Sequence, residues 1–137
     1  MMNPNTAARW FGRVMWVGIF ANLALALPTI AAPTLMIEMM SLPTATPDLW
    51  PRFAAVLLVI LSVFYMPAAV DVHRYRVPAW MAVASRVTGV VFFLVEGSPY
   101  LMLALFDFVF FVPEAILLTI VARGTRAPLP PARVAAA

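Results

Sequence analysis

Four long apolar runs constrain the fold of this chain more than any other feature. They cover about residues 10–30, 50–70, 78–95 and 99–123. Each run approaches the length of about 20 residues that a helix needs to cross the hydrocarbon core of a bilayer. Within lipid the backbone must satisfy its own hydrogen bonds, which a helix does within one segment. The sequence therefore predicts an all-α membrane protein, folded as an up-down four-helix bundle.

Composition supports a membrane class and excludes several others. The chain is 64% hydrophobic and 11% charged. Soluble domains average about 45–50% apolar residues and about 25% charged residues. The absence of cysteine excludes disulfides and thiolate catalysis. No phosphate-binding loop, dinucleotide-binding motif or nucleophile motif accompanies the single histidine, His73. We therefore expect no catalytic activity, no metal and no cofactor.

The connection between the first two runs is the longest, and prolines interrupt it. Residues 33–42 within it are apolar but too short to cross a bilayer, so they predict an interfacial helix after helix one. Its three methionines, Met36, Met39 and Met40, suit packing or, alternatively, a Cu(I) site. Packing is the preferred interpretation because no histidine or cysteine accompanies them.

Composition predicts whether the two ends of the chain are ordered. Residues 1–8 are mostly small and polar, and we expect them to be frayed. The first apolar run has the basic start of a signal peptide, but Asn22 interrupts it and three more runs follow. A retained first helix is therefore preferred over a cleaved one. The segment 125–137 is rich in Pro, Arg and Ala, and we expect a disordered tail.

Arginine placement predicts the orientation. All nine basic residues are arginine, and with four spans seven of them fall on one side: Arg9, Arg13, Arg74, Arg76, Arg123, Arg126 and Arg133. Only Arg52 falls on the other side, and Arg86 lies within the third run. This bias predicts a multi-pass membrane protein with both termini cytoplasmic, and the resemblance described below implies a bacterial inner membrane. It also explains the net charge of +3 better than nucleic acid does, because the arginines flank apolar runs and form no single patch.

Ionisable residues inside the runs are the main candidate site. Asp107 and Glu114 are seven residues apart in the fourth run, which places them on one helix face about 10.5 Å apart. Arg86 in the third run matches Glu114 in depth, so the two are predicted to pair. For Asp107 the candidate partners are Arg52 and Asn22. Such pairs can fix helix register, handle protons, bind a quinone headgroup or contact another subunit.

Further polar residues lie where the membrane surface is expected. Arg13 and Asp71 are predicted to pair at the inner surface, between the first and second helices. The loop after the second run supplies candidates for contact with anionic lipid headgroups or a partner: His73, Arg74, Tyr75 and Arg76. Alternatively, this loop is solvated and serves only to orient the chain. His73 alone can also be an axial ligand of a pigment or haem in a larger complex.

Several stretches together resemble a known layout: Pro28, residues 53–58, residues 64–76, residues 79–86, and Asp107 with Glu114. The chain resembles small four-helix bacterial inner-membrane proteins of the DoxX-like group, with a short chain, four spans and a longer first external loop. The resemblance implies a link to quinone-dependent oxidation or redox-stress complexes, as a membrane partner. Because this chain has no cysteine, it implies no thiol chemistry here.

The expected function is a non-catalytic accessory or scaffold subunit of a bacterial redox or energy-converting complex. The expected partners are the lipid bilayer and other membrane subunits or further copies of the chain. Two alternatives remain open. One is a small proton-coupled transporter that uses Asp107, Glu114 and Arg86, and the other is a quinone- or haem-associated redox subunit. If one residue does chemistry or meets a partner, Asp107 is the first candidate, since Glu114 has a structural explanation.

Overall fold

A computed structural model describes residues 2–124, and helices account for most of that range. Five α-helices follow one another: α1 Pro4–Ala31, α2 Pro33–Met39, α3 Leu49–Val70, α4 Arg76–Glu96 and α5 Leu101–Gly124. A short 3-10 turn, Ser98–Tyr100, precedes α5. The tail predicted to be disordered, 125–137, lies outside the described residues.

Four of these helices, α1, α3, α4 and α5, are long and apolar enough to cross a membrane. The predicted all-α, four-span architecture is confirmed. The spans form a ring in which α1 lies between α3 and α5, while α4 packs broadly on α5. The contact between α3 and α4 is the least extensive of the four around the ring. The short helix α2 packs on α1 and buries Pro33 and Ile37.

The helix boundaries differ most from the prediction at the start of α1. The helix begins at Pro4, so the prediction that residues 1–8 are frayed is wrong for residues 4–8. Asn3 explains the early start, because its side chain caps the helix by accepting a hydrogen bond from the Asn5 amide at 2.9 Å. Proline at the first helical position adds to this signal, since its missing N–H would have no partner there.

The core of the bundle is centred on α1. Phe11, Met15 and Ile19 lie on one face of this helix and are fully buried. They pack in one cluster with residues of the other three spans, including Tyr65 of α3 and Leu118 of α5. Phe11, Met15 and Ile19 recur at spacings of four, which is the helical period. By contrast, large apolar side chains are exposed on the outer faces of all four spans, as expected for contact with lipid.

One end of the bundle gathers three chain segments. The start of α1, the α3–α4 turn and the end of α5 meet there. A Cβ atom on Gly124 would contact the ring of Pro4. A cleft at the same end is lined by Arg9 and Arg13 of α1 and by Asp71 and His73 of the turn. The opposite end carries α2 and the α4–α5 connection, where Gly97 adopts a φ of 100° that favours glycine.

Candidate functional site

Arg86 of α4 lies at the centre of the candidate site. Its Nε donates to both carboxylate oxygens of Glu114 on α5, at 3.2 and 3.1 Å. Its Nη1 donates to Oδ1 of Asp107 at 3.3 Å. Asp107 lies on the same face of α5 as Glu114, two helical turns before it. The three side chains are called the charge cluster below. The predicted proximity of Arg86 and Glu114 is thus present in the structure.

The two acids of the charge cluster differ in environment. Glu114 is 0% exposed, and both of its oxygens face Arg86, which is itself 3% exposed. Asp107 is 21% exposed and bonds Arg86 through Oδ1. Its Oδ2 forms no hydrogen bond with the part of the chain that the structure describes. Glu114 and Arg86 therefore form a closed pair, while Asp107 keeps one carboxylate oxygen available.

The partners expected for Asp107 make other contacts, so that part of the prediction is wrong. Arg52 donates from Nη1 to the carbonyl of Ile30 at the end of α1, at 2.8 Å. This carbonyl belongs to the last turn of a helix, which lacks intrahelical donors and attracts arginine. Asn22 donates instead to the hydroxyl of Ser62 on α3, at 3.3 Å. Arg86 serves both acids because a guanidinium carries five N–H donors.

Two glycines leave space for the charge cluster. A Cβ atom on Gly18 of α1 would lie 2.5 Å from Nη2 of Arg86. A Cβ atom on Gly89 of α4 would overlap Oδ2 of Asp107. Small residues such as glycine commonly let neighbouring helices of a membrane protein pack closely. In the structure the space they leave is filled by charged side chains from neighbouring helices, not by helix backbones.

Aromatic rings complete the surroundings of Arg86. Its guanidinium carbon lies 4.7 Å from the ring centroid of Phe110 and 5.9 Å from that of Tyr65. Such contacts stabilise a cation through the negative face of the ring. The hydroxyl of Tyr65 shares a hydrogen bond with the hydroxyl of Ser85, one residue before Arg86. Tyr65 was missed as a site residue because a tyrosine within an apolar run is ordinarily a packing residue.

A cavity of about 360 Å³ lies beside the charge cluster, between the spans and under α2. It is called the central cavity below. Its wall is mostly apolar, with side chains from all five α-helices. Its polar part is formed by Asn22, Tyr65, Ser85, Arg86 and Asp107. An apolar wall with a few converging polar groups is typical of sites for small molecules. The volumes of such sites start at about 300 Å³.

Two buried polar atoms next to the central cavity have no hydrogen-bond partner within residues 2–124. They are Nη2 of Arg86 and Oδ1 of Asn22. Asn22 is 2% exposed and lies one helical turn from Gly18, which contacts Arg86. Unsatisfied buried polar groups are rare and costly in native proteins. Both atoms are buried, and the residues that carry them are among those that line the central cavity.

The inner-surface ion pair predicted between Arg13 and Asp71 is not formed. Within the described range the ion pairs shorter than 4.0 Å are those of the charge cluster. Arg13 lies over the ring of Trp10, at 4.8 Å from its centroid. Oδ1 of Asp71 accepts hydrogen bonds from the amides of His73 and Arg74, at 3.0 and 3.1 Å. Asp71 thus shapes the α3–α4 turn, as aspartate commonly does.

The remaining residues proposed for headgroup contact lie in or beside this turn. His73 and Arg74 are exposed, and the guanidinium of Arg74 lies 5.5 Å from the ring centroid of Tyr75. Arg76 is the first residue of α4. None of these side chains approaches the central cavity, whose lining is formed elsewhere. Within the described part of the chain, no three His, Asp or Glu side chains come close enough to hold a metal ion.

No family model matches the chain, and comparison with curated proteins and with solved structures gives no match. These comparisons do not support membership of the DoxX-like group or a bacterial origin. The fold is nevertheless that of a multi-pass membrane bundle, because four helices have the required length and hydropathy.

Proposed function

We propose that this protein is a non-catalytic integral membrane subunit that holds a small amphipathic molecule between its helices. The central cavity carries this proposal. It combines about 360 Å³ of space, a mostly apolar wall and a buried polar end. A molecule with an apolar body and a hydrogen-bonding head matches both parts. Asn22, at the polar end, has an acceptor atom, Oδ1, without a partner among the described residues.

The test is to fill the central cavity and measure binding. Ala55 of α3 lines the cavity and is buried, so Ala55→Phe places a ring inside it. Leu57→Phe on the same helix is the matched control, because Leu57 is exposed on the outer face. Native mass spectrometry of the protein released from detergent would detect co-purified small molecules and added 4-phenylbutanol. We expect binding in the wild type and in Leu57→Phe, and loss in Ala55→Phe. Equal binding by all three proteins contradicts the proposal.

We further propose that the protein works as part of a larger redox or energy-converting complex of a bacterial inner membrane. Its spans bury only 22–28% of their most apolar windows within the bundle, so a large apolar surface remains for lipid or for other subunits. Affinity purification from a mild detergent, followed by identification of co-purifying chains, tests this role. The absence of any membrane partner above background, together with a lone monomer in native mass spectrometry, argues against it.

The proposed orientation places both termini in the cytoplasm, on the side of the arginine-rich end. Because the natural chain has no cysteine, single cysteines can be introduced without removing others. Cysteine at His73, in the α3–α4 turn, should react with a membrane-impermeant maleimide only after the cells are opened. Cysteine at Ser98, at the opposite end, should react in intact cells. The reverse pattern overturns the orientation.

A proton- or ion-coupled carrier is the second candidate. Asp107 favours it, because this acid lies inside a membrane span and also lines the central cavity. Reconstitution into vesicles separates the two roles. A carrier would move its ligand across the bilayer, and Asp107→Asn would stop that movement, whereas a subunit that only holds its ligand gives no flux above that of protein-free vesicles.

A further inference from the structure

The charges next to the central cavity do not balance. One guanidinium, Arg86, faces two carboxyl groups, Asp107 and Glu114. No other Arg or Lys side chain among residues 2–124 forms an ion pair with either acid. With both acids ionised, the charge cluster carries one excess negative charge. A charge without a counterion is strongly unfavourable at membrane depth, so the cluster is neutral only with one more positive charge, which is either a bound cation or a proton on one of the acids.

The structure locates that excess charge at Asp107. Glu114 is enclosed and both of its oxygens receive the Nε hydrogen of Arg86. Asp107 is partly exposed, lines the central cavity, and bonds Arg86 through one oxygen only. A positive group that enters the central cavity therefore meets Asp107 and not Glu114.

A second group supports a cation at this place. Asn22 lines the same cavity and is 2% exposed, and its Oδ1 has no donor partner within the described residues. Its Nδ2 is already used for the hydroxyl of Ser62. The atom of Asn22 that lacks a partner is therefore an acceptor, which suits the N–H donors of an ammonium group.

Aromatic side chains form part of the wall. Tyr65, Phe93 and Phe106 line the central cavity, and their rings can contact both a cationic head and an apolar body. Nη2 of Arg86 is not a contact for the ligand in this arrangement, since it is buried against Gly18. The guanidinium itself is held by the two acids and lies near the Phe110 ring.

Resting on the proposed function, we infer that the central cavity selects a lipophilic monocation of the alkylamine class, whose ammonium group pairs with Asp107 and donates to Asn22. The apolar part of such a molecule lies among the aliphatic and aromatic side chains under α2. The ammonium group makes the charge cluster neutral. An anionic molecule of the same size would add a second unbalanced negative charge, so we expect it to bind more weakly than the amine.

Three probes of matched shape test this inference: 4-phenylbutylamine, 4-phenylbutanol and 4-phenylbutyrate. Their affinities are measured by native mass spectrometry or by calorimetry in one detergent. Comparing the amine-to-alcohol affinity ratio between protein variants cancels the unequal partition of the probes into micelles. We expect Asp107→Asn to lower this ratio about tenfold or more, because close charge pairs away from water couple strongly. Asn22→Leu should lower it less.

Controls separate charge pairing from damage to the fold. Glu96→Gln removes an exposed acid at the same end of the bundle, outside the cavity lining, and should leave the ratio unchanged. Asp107→Glu keeps the charge and should retain much of the preference for the amine. Unchanged binding of the alcohol shows that Asp107→Asn is folded.

The outcomes distinguish the two proposals. If all probes bind and Asp107→Asn does not change the amine-to-alcohol affinity ratio, the selection of cations is overturned. The cavity then remains a binding site. Tighter binding of the butyrate than of the amine overturns it as well. If no probe binds the wild type more than it binds Ala55→Phe, both the binding function and the selection of cations are wrong.

Discussion

Breaking the Arg86–Glu114 pair should destabilise the bundle, and the cost should depend on which partner is removed. Arg86→Met leaves Glu114, which is 0% exposed, without a counterion. Removing one partner of a buried pair costs about 3–5 kcal/mol. Glu114→Gln is expected to cost less, about 1–3 kcal/mol. The reason is that Arg86 keeps Asp107 at 3.3 Å and an amide oxygen can still accept from Nε.

The double variant isolates the interaction. With Met at 86 and Gln at 114, neither a buried guanidinium nor a buried glutamate remains. The double variant should therefore lose less stability than the sum of the two single losses, by about 1–3 kcal/mol. Tryptophan fluorescence during titration of the folded protein from a mild detergent into SDS would report the free energy of unfolding.

Thr88→Ala is the matched control on α4. Thr88 is exposed and its hydroxyl bonds only the carbonyl of Ala84 in its own helix, at 2.8 Å. It should change stability by less than about 0.5 kcal/mol. Additivity of the two single losses within about 0.5 kcal/mol would refute the idea that Arg86 and Glu114 stabilise each other.

Three further changes test other parts of the structure. Gly18→Ala should lose about 1–3 kcal/mol in the same SDS titration, since its Cβ would lie 2.5 Å from Nη2 of Arg86; wild-type stability would contradict this close approach. Asn3→Ala should lose the side-chain cap of α1 and about 1 kcal/mol, seen as faster amide exchange in the first turn but not at the far end of the helix. Tyr65→Phe should lose about 0.5–1.5 kcal/mol, because it leaves the hydroxyl of Ser85 without this partner, and an unchanged titration midpoint would show that the two hydroxyls do not stabilise the bundle.

Sequence reasoning predicted the spans because their signal is long and repeated. Four apolar runs of bilayer length specify helices whatever their neighbours are. The depth match of Arg86 and Glu114 was also predictable, since a short α4–α5 connection makes two helices antiparallel neighbours. Helix rise per residue then converts sequence position into depth. Both predictions depend on distances along helices, which sequence specifies well.

The partner of Asp107 was not predicted, because it depends on how far one side chain reaches. Asp107 and Glu114 are two helical turns apart, and the simplest prediction pairs each acid with a different polar or basic residue. Arg86 instead lies between them and uses Nε for one acid and Nη1 for the other. Arg52 was unavailable because it binds the end of α1. The central cavity could not be predicted from the sequence either. It is formed by residues of the four spans and of α2, so it depends on how all five helices pack.

The difference between the two acids decides how the site should be interpreted. If the bundle needed only a fixed helix register, Arg86 and Glu114 would suffice, because together they form a neutral, enclosed pair. Asp107 adds a second negative charge against the same guanidinium, and Gly89 leaves the space that this carboxylate occupies. Unlike Glu114, Asp107 is partly exposed and lines the central cavity. Register alone does not account for Asp107, and this is the reason to propose a positive group that reaches it through the cavity.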